Sequence, residues 1–370
     1  MKLLDILIIY EPPSQKSMVN RLVEEMNKHN MLVDAFNMYQ MQFHINKDKS
    51  SLFKFLSFLQ FFFVLRPIIK RCFYSIILHQ LCLKTKLIDI HFFSRYYVRF
   101  LEHYTRPFKL TIWGSDFFRE TQYWQERKRN IYRRASLIQV ATNEMKNLIQ
   151  TYDASLKNRI KVCNFGVSLL SQIDKVRSQM RTEVLNKNKI FVACGYNGAK
   201  GQQHLKIFNA ISQLPYELKN KLILLVPLTY GLSNKYRKQI ESALSRLQCE
   251  YKLYLNKLSD EDLALLRINT DITINLQITD VLSASLIEHL YSGNVLIVGN
   301  WLPYDIFDAA NIFYFKTPTD LLPSLLEDVI NNIEIYKSVA RDNSVKINTL
   351  FSWPSVSFKQ AEIYRELLLN

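Results

Sequence analysis

The stretch Asn275–Asn300, NLQITDVLSASLIEHLYSGNVLIVGN, decides how the rest of the chain is read. Asp280 closes a strand-like run, Asp271 to Ile278. Ser283 and Ser285 have the short polar side chains of an N-cap and first turn, and Ala284 to Leu290 carries apolar residues at helical spacing up to Gly293. Val295 to Gly299 is then a short apolar strand, so the stretch encodes a βαβ unit. The first backbone N–H groups of such a helix lack intrahelical partners and sit at its positive dipole end. Ser283, Ala284 and Ser285 would therefore suit an anion such as a diphosphate. Asp280 on the loop and Glu288, about two helical turns in, would offer carboxylates to sugar or ribose hydroxyls. The same spacing also fits a turn Asp and a surface Glu, so the surrounding chain has to decide.

The chain has 370 residues, 48% of them hydrophobic, enough for two domains each with its own core. Its five cysteines, Cys72, Cys82, Cys163, Cys194 and Cys249, are scattered and odd in number, which suggests neither a disulfide framework nor a zinc site and fits a reducing cytoplasm. The start, MKLLDILIIY, has Asp5 inside a short apolar run and no small-residue cleavage site, so it reads as a first strand. Charge is unevenly placed. Up to residue 190 there are 31 Lys+Arg against 15 Asp+Glu, leaving 17 against 18 of the totals of 48 and 33 for the remainder. One half therefore faces a polyanion: nucleic acid, an anionic membrane or a phosphorylated substrate. Zinc-finger spacing, an RNA-recognition sequence and a compact recognition helix are all missing, which argues against nucleic acid.

The aromatics argue for a membrane surface. Residues 52–83, LFKFLSFLQFFFVLRPIIKRCFYSIILHQLCL, mix six phenylalanines between Phe53 and Phe63 with Lys54, Arg66, Lys70 and Arg71, and Lys84 and Lys86 follow. The apolar run is broken too often for a span of about 20 residues. It reads either as an interfacial helix pair on an anionic membrane, through residues 52–86, or as core helices over a sheet.

Strand and helix patterns alternate throughout, which specifies parallel sheets covered on both faces, with ligands beyond the carboxyl ends of strands. In the first half the strands are Leu3 to Tyr10, Met31 to Phe36, Leu87 to Phe93, Lys109 to Trp113, Ser136 to Ala141 and Ile160 to Asn164. Gly114-Ser115-Asp116 lies at one strand end, and Asn143 is placed to cap a helix to Tyr152. Polar, weakly periodic residues near 168–188 read as a linker. Beyond it come strands Lys189 to Cys194, Lys221 to Val226 and Tyr251 to Leu255, with helices Gln203 to Gln213, Ser233 to Leu247 and Asp260 to Asn269. The expected architecture is two Rossmann-like doubly wound α/β domains facing across a cleft: 1–170, a linker 171–188, 189–350, and a terminal helix 351–370 returning to the first domain. After the first strand of the second domain, GYNGAKGQQH has glycines that permit close backbone approach, Gly195 and Gly198 among them, and Lys200 to meet a phosphate. It is neither a Walker loop nor a dinucleotide fingerprint. Tyr230, after Pro227, reads as a base contact or a turn. His44, His79, His103 and His289 read as helix or surface residues, while His91, near a strand end in DIHFF, stays open.

These residues carry a resemblance. The second half is similar to the donor-binding domain of GT-B glycosyltransferases, specifically the family-4 nucleotide-sugar transferases. The features are FVACGYNGAKG for the strand and lysine loop, LSDEDLALLRINTDITIN for a helix into a strand, TDVLSASLIEHLYSGNVLIVG for the paired acidic motif, and SWPSVSFKQAEIYRELL for the terminal helix. SLIQVATNEMKNLIQ and KVCNFGV extend the likeness to the end of the first domain. GYNG with QQH, LLVPLTYG and LSDEDLALLR also resemble the 4-acetamido-4,6-dideoxygalactose transferases. The chain departs from the family-4 pattern at four points. Asp280 stands where Glu is usual, Val281-Leu282-Ser283 replaces Gly-Phe-Gly, the arginine before the loop lysine is absent, and Trp113 replaces a histidine.

The resemblance implies a metal-independent hexosyltransferase-type enzyme without cofactor. It would take a nucleoside-diphosphate sugar, with the diphosphate near Gly195, Asn197, Gly198, Lys200 and Ser283–Ser285, ribose at Glu288, the sugar at Asp280, and Tyr230 near the base. Asp116 would meet the acceptor, a polyprenyl-diphosphate-linked glycan of a bacterial surface polysaccharide such as capsule or O-antigen, and transfer would retain the anomeric configuration. The protein would be cytoplasmic and peripheral to the inner face of the cell membrane. A non-catalytic partner subunit and a nucleotide-sugar epimerase are the competing readings.

Overall fold

The computed structural model describes residues 3–11, 16–38, 78–118, 120–180 and 189–369. Residues 39–77, which hold most of the basic aromatic stretch expected to meet a membrane, lie outside the described residues. Among the described residues no helix is long and apolar enough to cross a membrane. The chain divides into two compact units, Met1–Gly166 with Trp353–Asn370, and Val167–Ser352.

The first unit is built on six strands: β1 (Leu4–Tyr10), β2 (Val33–Asn37), β3 (Thr85–His91), β4 (Phe108–Thr111), β5 (Leu137–Val140) and β6 (Ile160–Val162). They lie in the order β2-β1-β3-β4-β5-β6 and every pairing is parallel, with Ile8 opposite Ala35 on one side and Asp89 on the other. Parallel strands with helices on both faces are buried on both, which is why ILIIY in β1 is unbroken and apolar. Helices α1 (Lys16–Lys28), α2 (Val98–His103), α3 (Gln122–Arg134) and α4 (Asn143–Tyr152) pack around this sheet. The Thr142 hydroxyl, not Asn143, caps α4 by accepting from the Met145 N–H.

The second unit repeats the plan with β7 (Ile190–Cys194), β8 (Leu222–Pro227), β9 (Glu250–Tyr254), β10 (Ile272–Asn275), β11 (Val295–Gly299) and β12 (Phe315–Thr317), in the parallel order β12-β11-β10-β7-β8-β9. Its helices of five residues or more are α5 (Leu169–Gln179), α6 (His204–Ser212), α7 (Asn234–Leu244), α8 (Asp260–Asn269), α9 (Ala284–Tyr291), α10 (Asp305–Ala309), α11 (Leu322–Asn331), α12 (Ile333–Ala340) and α13 (Asn343–Phe351). Ser233 and Ser259 cap α7 and α8 through the Tyr236 and Asp262 N–H groups. Helix α5 replaces the first part of the expected linker 171–188. It packs against α8, burying Leu169, Leu170, Ile173 and Val176 at helical spacing behind a mainly polar composition. Residues 181–188 lie outside the described residues.

The last helix, α14 (Trp353–Leu369), belongs to the first unit. Trp353, Ala361 and Tyr364 share one buried cluster with Ile6, Ile8, Val19 and Met26. Gly166 makes that possible, since a Cβ there would lie 2.4 to 2.7 Å from the Trp353 ring.

Candidate active site

In the second sheet β7 is flanked by β8 on one side and β10 on the other, so the winding reverses between β7 and β10. Crevices for ligands form outside the carboxyl ends of strands at such a point. Three loops meet there. The loop after β7 turns at Gly195, whose φ is +68°, a conformation that disfavours a side chain. It donates from the Gly198 N–H to the Tyr230 carbonyl after β8 (2.8 Å), and the Ile278 N–H after β10 reaches back to the Gly201 carbonyl (2.9 Å). A Cβ on Gly198 would press to 2.5 Å from Leu232, so only glycine allows this approach.

Buried Asn197 organises the loop from within, accepting from the Ala199 N–H (2.8 Å) and donating to the Tyr230 hydroxyl (3.3 Å). Tyr230 itself is 61% exposed and offers a free ring face. Lys200 is exposed at the start of a single helical turn, and its ammonium is in no ion pair among the described residues. Gln202, buried under the loop, accepts from the Tyr196 N–H (3.1 Å), and both Gln202 and the Tyr196 hydroxyl donate to Gln277 Oε1.

Asp280 sits in the same loop cluster, half-buried, with Oδ2 accepting from the Tyr304 hydroxyl at 2.8 Å, while Tyr304 accepts from Asn275 Nδ2 at 3.0 Å. Burial pushes the Asp280 carboxyl up to about 6 against the opposing pull of these hydrogen bonds. Ser283 precedes α9 in the N-cap position without accepting a capping hydrogen bond from it, so Ala284 and Ser285 form an uncapped first turn.

Glu288 is buried rather than open on the helix surface. Arg267 from α8 donates to Glu288 Oε2 through Nε at 3.0 Å, to Ser285 Oγ through Nη2 at 2.9 Å, and to His289 Nε2 through Nη1 at 2.9 Å. Asn294 completes the cluster through the Arg267 carbonyl and His289 Nδ1. Burial raises the Glu288 carboxyl, and Arg267 opposes that rise; burial and then Arg267 keep His289 neutral. Arg267 thus puts a fixed positive charge beside the first turn of α9.

Asp116 lies in the first unit, at the carboxyl end of β4. It is 3% exposed, and its two oxygens accept from the Phe93 N–H (2.9 Å) and the Trp113 N–H (3.0 Å). Burial raises its carboxyl to about 6. Buried Lys128 donates to the backbone carbonyls of Phe93 and Asp116 and to Glu120. Asp116 thus ties the strand ends together from inside.

The structure therefore gathers Gly195, Asn197, Gly198, Lys200, Tyr230, Asp280 and Ser283–Ser285 beyond the carboxyl ends of β7, β8 and β10, with Glu288 just behind them. Sequence reasoning missed Arg267, Tyr304, Gln202 and Gln277. Arg267 carries the one available signal, four residues after Leu263 and next to Leu266 on the apolar side of α8. Tyr304 follows Pro303 in an irregular loop, where no periodicity marks it.

No family model matches the sequence, and no curated protein sequence matches it. Solved structures do match. A glycosyltransferase from Rickettsia africae superposes with a TM-score of 0.71 at 13% identity over 100% of both chains. Anabaena HepE, crystallised with UDP and glucose, gives 0.67 at 14% identity over 98% of this chain and 100% of its own. Sucrose-phosphate synthase from Thermosynechococcus elongatus gives 0.71 at 12% identity over 99% of each chain. Over its whole length, then, the chain has the two-unit parallel α/β architecture of the GT-B glycosyltransferases.

Proposed function

We propose that the protein is a glycosyltransferase that moves a sugar from a nucleoside-diphosphate donor to a lipid-linked glycan of a bacterial surface polysaccharide. The observation that carries this reading is the meeting of three loops at the switch point of the second sheet. They combine an exposed lysine, an uncapped helix start backed by a buried arginine, and a tyrosine-held carboxylate. That set matches the parts of a nucleotide sugar. The diphosphate takes Lys200 and the N–H groups of Ala284 and Ser285, which neutralise the leaving group without a metal ion. Tyr230 offers its ring to the base, and Asp280 accepts from sugar hydroxyls. Glu288, bound to Arg267, shapes the ribose side and keeps Ser285 in place. Asp116 positions the loop that presents the acceptor face. HepE, of the same fold, was crystallised with UDP and glucose, which supports a nucleotide-sugar donor. The lipid-linked acceptor and attachment to an anionic membrane through residues 52–86 rest on sequence alone.

The test is a thermal-shift screen of the purified chain against nucleoside diphosphates and nucleotide sugars, with EDTA present. A ligand at a hundredfold excess over Kd adds roughly 2.7 kcal/mol of stability. A shift with one nucleotide that Lys200→Ala removes is expected. A folded protein that no donor shifts would refute the reading and favour a non-catalytic partner subunit.

A further inference from the structure

The first turn of α9 carries a hydroxyl whose role is set from behind by α8. Buried Arg267 places Nε and Nη2 each 3.0 Å from Glu288 Oε2, Nη2 also 2.9 Å from Ser285 Oγ, and Nη1 2.9 Å from His289 Nε2. A guanidinium donates and never accepts, so all of these atoms accept from it. Ser285 Oγ therefore uses a lone pair on Arg267, and its own O–H has to point elsewhere. Among the described residues no acceptor takes that proton. Accepting from a cation also polarises the hydroxyl and makes it a stronger donor.

Backbone donors stand beside it. Ala284 and Ser285 occupy the first positions of α9, where an N–H has no carbonyl a turn earlier, and the Ser283 side chain does not cap them. The turn thus presents the Ser285 O–H together with the N–H groups of Ala284 and Ser285. Such a set complements an oxyanion, which only accepts; an ammonium, which only donates, finds no partner in it. The field of Arg267 reaches the same space. Burial raises the Tyr230 hydroxyl and the Asn197 amide lowers it; beyond these, Asp280 and Glu288 push it up and Arg267 pulls it down. Tyr230 is the exposed ring on the loop after β8, so Arg267 acts on the ligand side of the loops while itself staying buried.

We propose that Arg267 is the positioning residue of the phosphate subsite: by filling a lone pair of Ser285 Oγ it fixes the Ser285 hydroxyl as a donor to the phosphate that leaves with the nucleotide. The inference rests on the nucleotide-sugar reading above and adds to it a side-chain donor and the residue that orients it. Arg267 touches no ligand; its effect passes through Ser285. Charge alone does not suffice for this. A lysine ammonium radiates its donors from a single nitrogen and cannot serve Glu288 Oε2, Ser285 Oγ and His289 Nε2 in their separate directions.

The experiment is calorimetric titration of the full chain and its variants with the nucleoside diphosphate that gives the largest thermal shift. Arg267→Lys, which keeps the charge, and Ser285→Ala, which removes the hydroxyl, are each expected to raise Kd by about 10- to 100-fold. The double variant should bind within about twofold of Ser285→Ala alone, because the arginine has no route to the phosphate once the hydroxyl is gone. Ser285→Thr keeps the hydroxyl and should stay within about threefold of wild type. Arg267→Gln, a neutral planar donor, replaces Arg267→Lys if the lysine variant does not fold, with the same loss expected. Folded single variants that bind within about twofold of wild type, a double variant whose loss is the product of the single losses, or a threonine variant as weak as alanine would overturn the proposal. A folded wild type that binds no nucleoside diphosphate would sink the nucleotide-sugar reading itself.

Discussion

Arg267→Leu removes the cation from a buried pair, so its cost can be worked from the structure. Arg267 is 4% exposed and Glu288 7%. Leucine fills much of the arginine's volume but leaves the carboxylate without its guanidinium, and Ser285 Oγ and His289 Nε2 without their donor. Stranding one member of a buried pair costs about 3–5 kcal/mol. At roughly 2–4 °C per kcal/mol for a unit of this size, the melting temperature falls by about 6–20 °C. The loss depends on pH with a definite sign. Burial already raises the Glu288 carboxyl against the pull of Arg267, and without that pull it rises further. A raised carboxyl carries no penalty below its unfolded value of 4.5, where both states are protonated, and its full penalty above the folded value. The deficit is therefore smallest near pH 4 and largest at pH 8. Arg267→Leu combined with Glu288→Leu removes both charges and should recover most of the stability. Calorimetry of the single and double variants across that pH range is the assay. A single variant less than about 2 °C below wild type at pH 8, or a double variant no more stable than the single, would refute the reasoning.

Three further outcomes are expected. Gly166→Ala puts a methyl 2.4 Å from the Trp353 ring, so the indole must move and the first unit loses about 1–3 kcal/mol; unchanged denaturant midpoint and Trp fluorescence would contradict this. Asp280, at about 6, gives kcat/KM an acid limb with its midpoint near pH 6, and Tyr304→Phe, by removing a donor to the ionised form, moves that midpoint upward; an identical limb in Asp280→Asn would assign it elsewhere. Lys109→Met leaves Asp89, 0% exposed, without its cation and costs about 3–5 kcal/mol at neutral pH. Wild type holds that stability above pH 3.8 and loses it in stronger acid, while in the variant burial, no longer opposed by Lys109, raises the Asp89 carboxyl and its penalty fades as pH falls toward 3.8, so the gap between the two proteins in urea should narrow from neutral pH downward.

The β-strands were legible because parallel strands buried on both faces are short, continuous apolar runs: Val295–Gly299 has the same bounds in sequence and structure. Edge strand β12, three residues with Lys316 exposed, carries no such run and was missed. Helix α5 was hidden because only every third or fourth residue of a polar segment is apolar. Within the site, the backbone parts were readable: glycines where the chain must turn, a lysine beside them, a serine before a helix. Its polar interior was not. Arg267 and Glu288 are 21 residues apart, Gln202 and Gln277 75, and such pairings are set by which strands become neighbours. The same holds for Asp89 and Tyr364, whose hydrogen bond joins residues 275 apart.

The placement of α14 sets an order of events during synthesis. Trp353, Ala361 and Tyr364 finish a core begun by Ile6 and Ile8, and the second unit, residues 167–352 or 186 positions, lies between them in the chain. At about 5–20 residues per second, the N-terminal sheet waits roughly 10–40 s on the ribosome with one face uncovered. The unit translated first is thus the last to be completed. A premature stop that removes only the final helix strikes the oldest part of the nascent protein, exposing Ile6, Ile8 and Val19 and withdrawing the Tyr364 hydroxyl from Asp89.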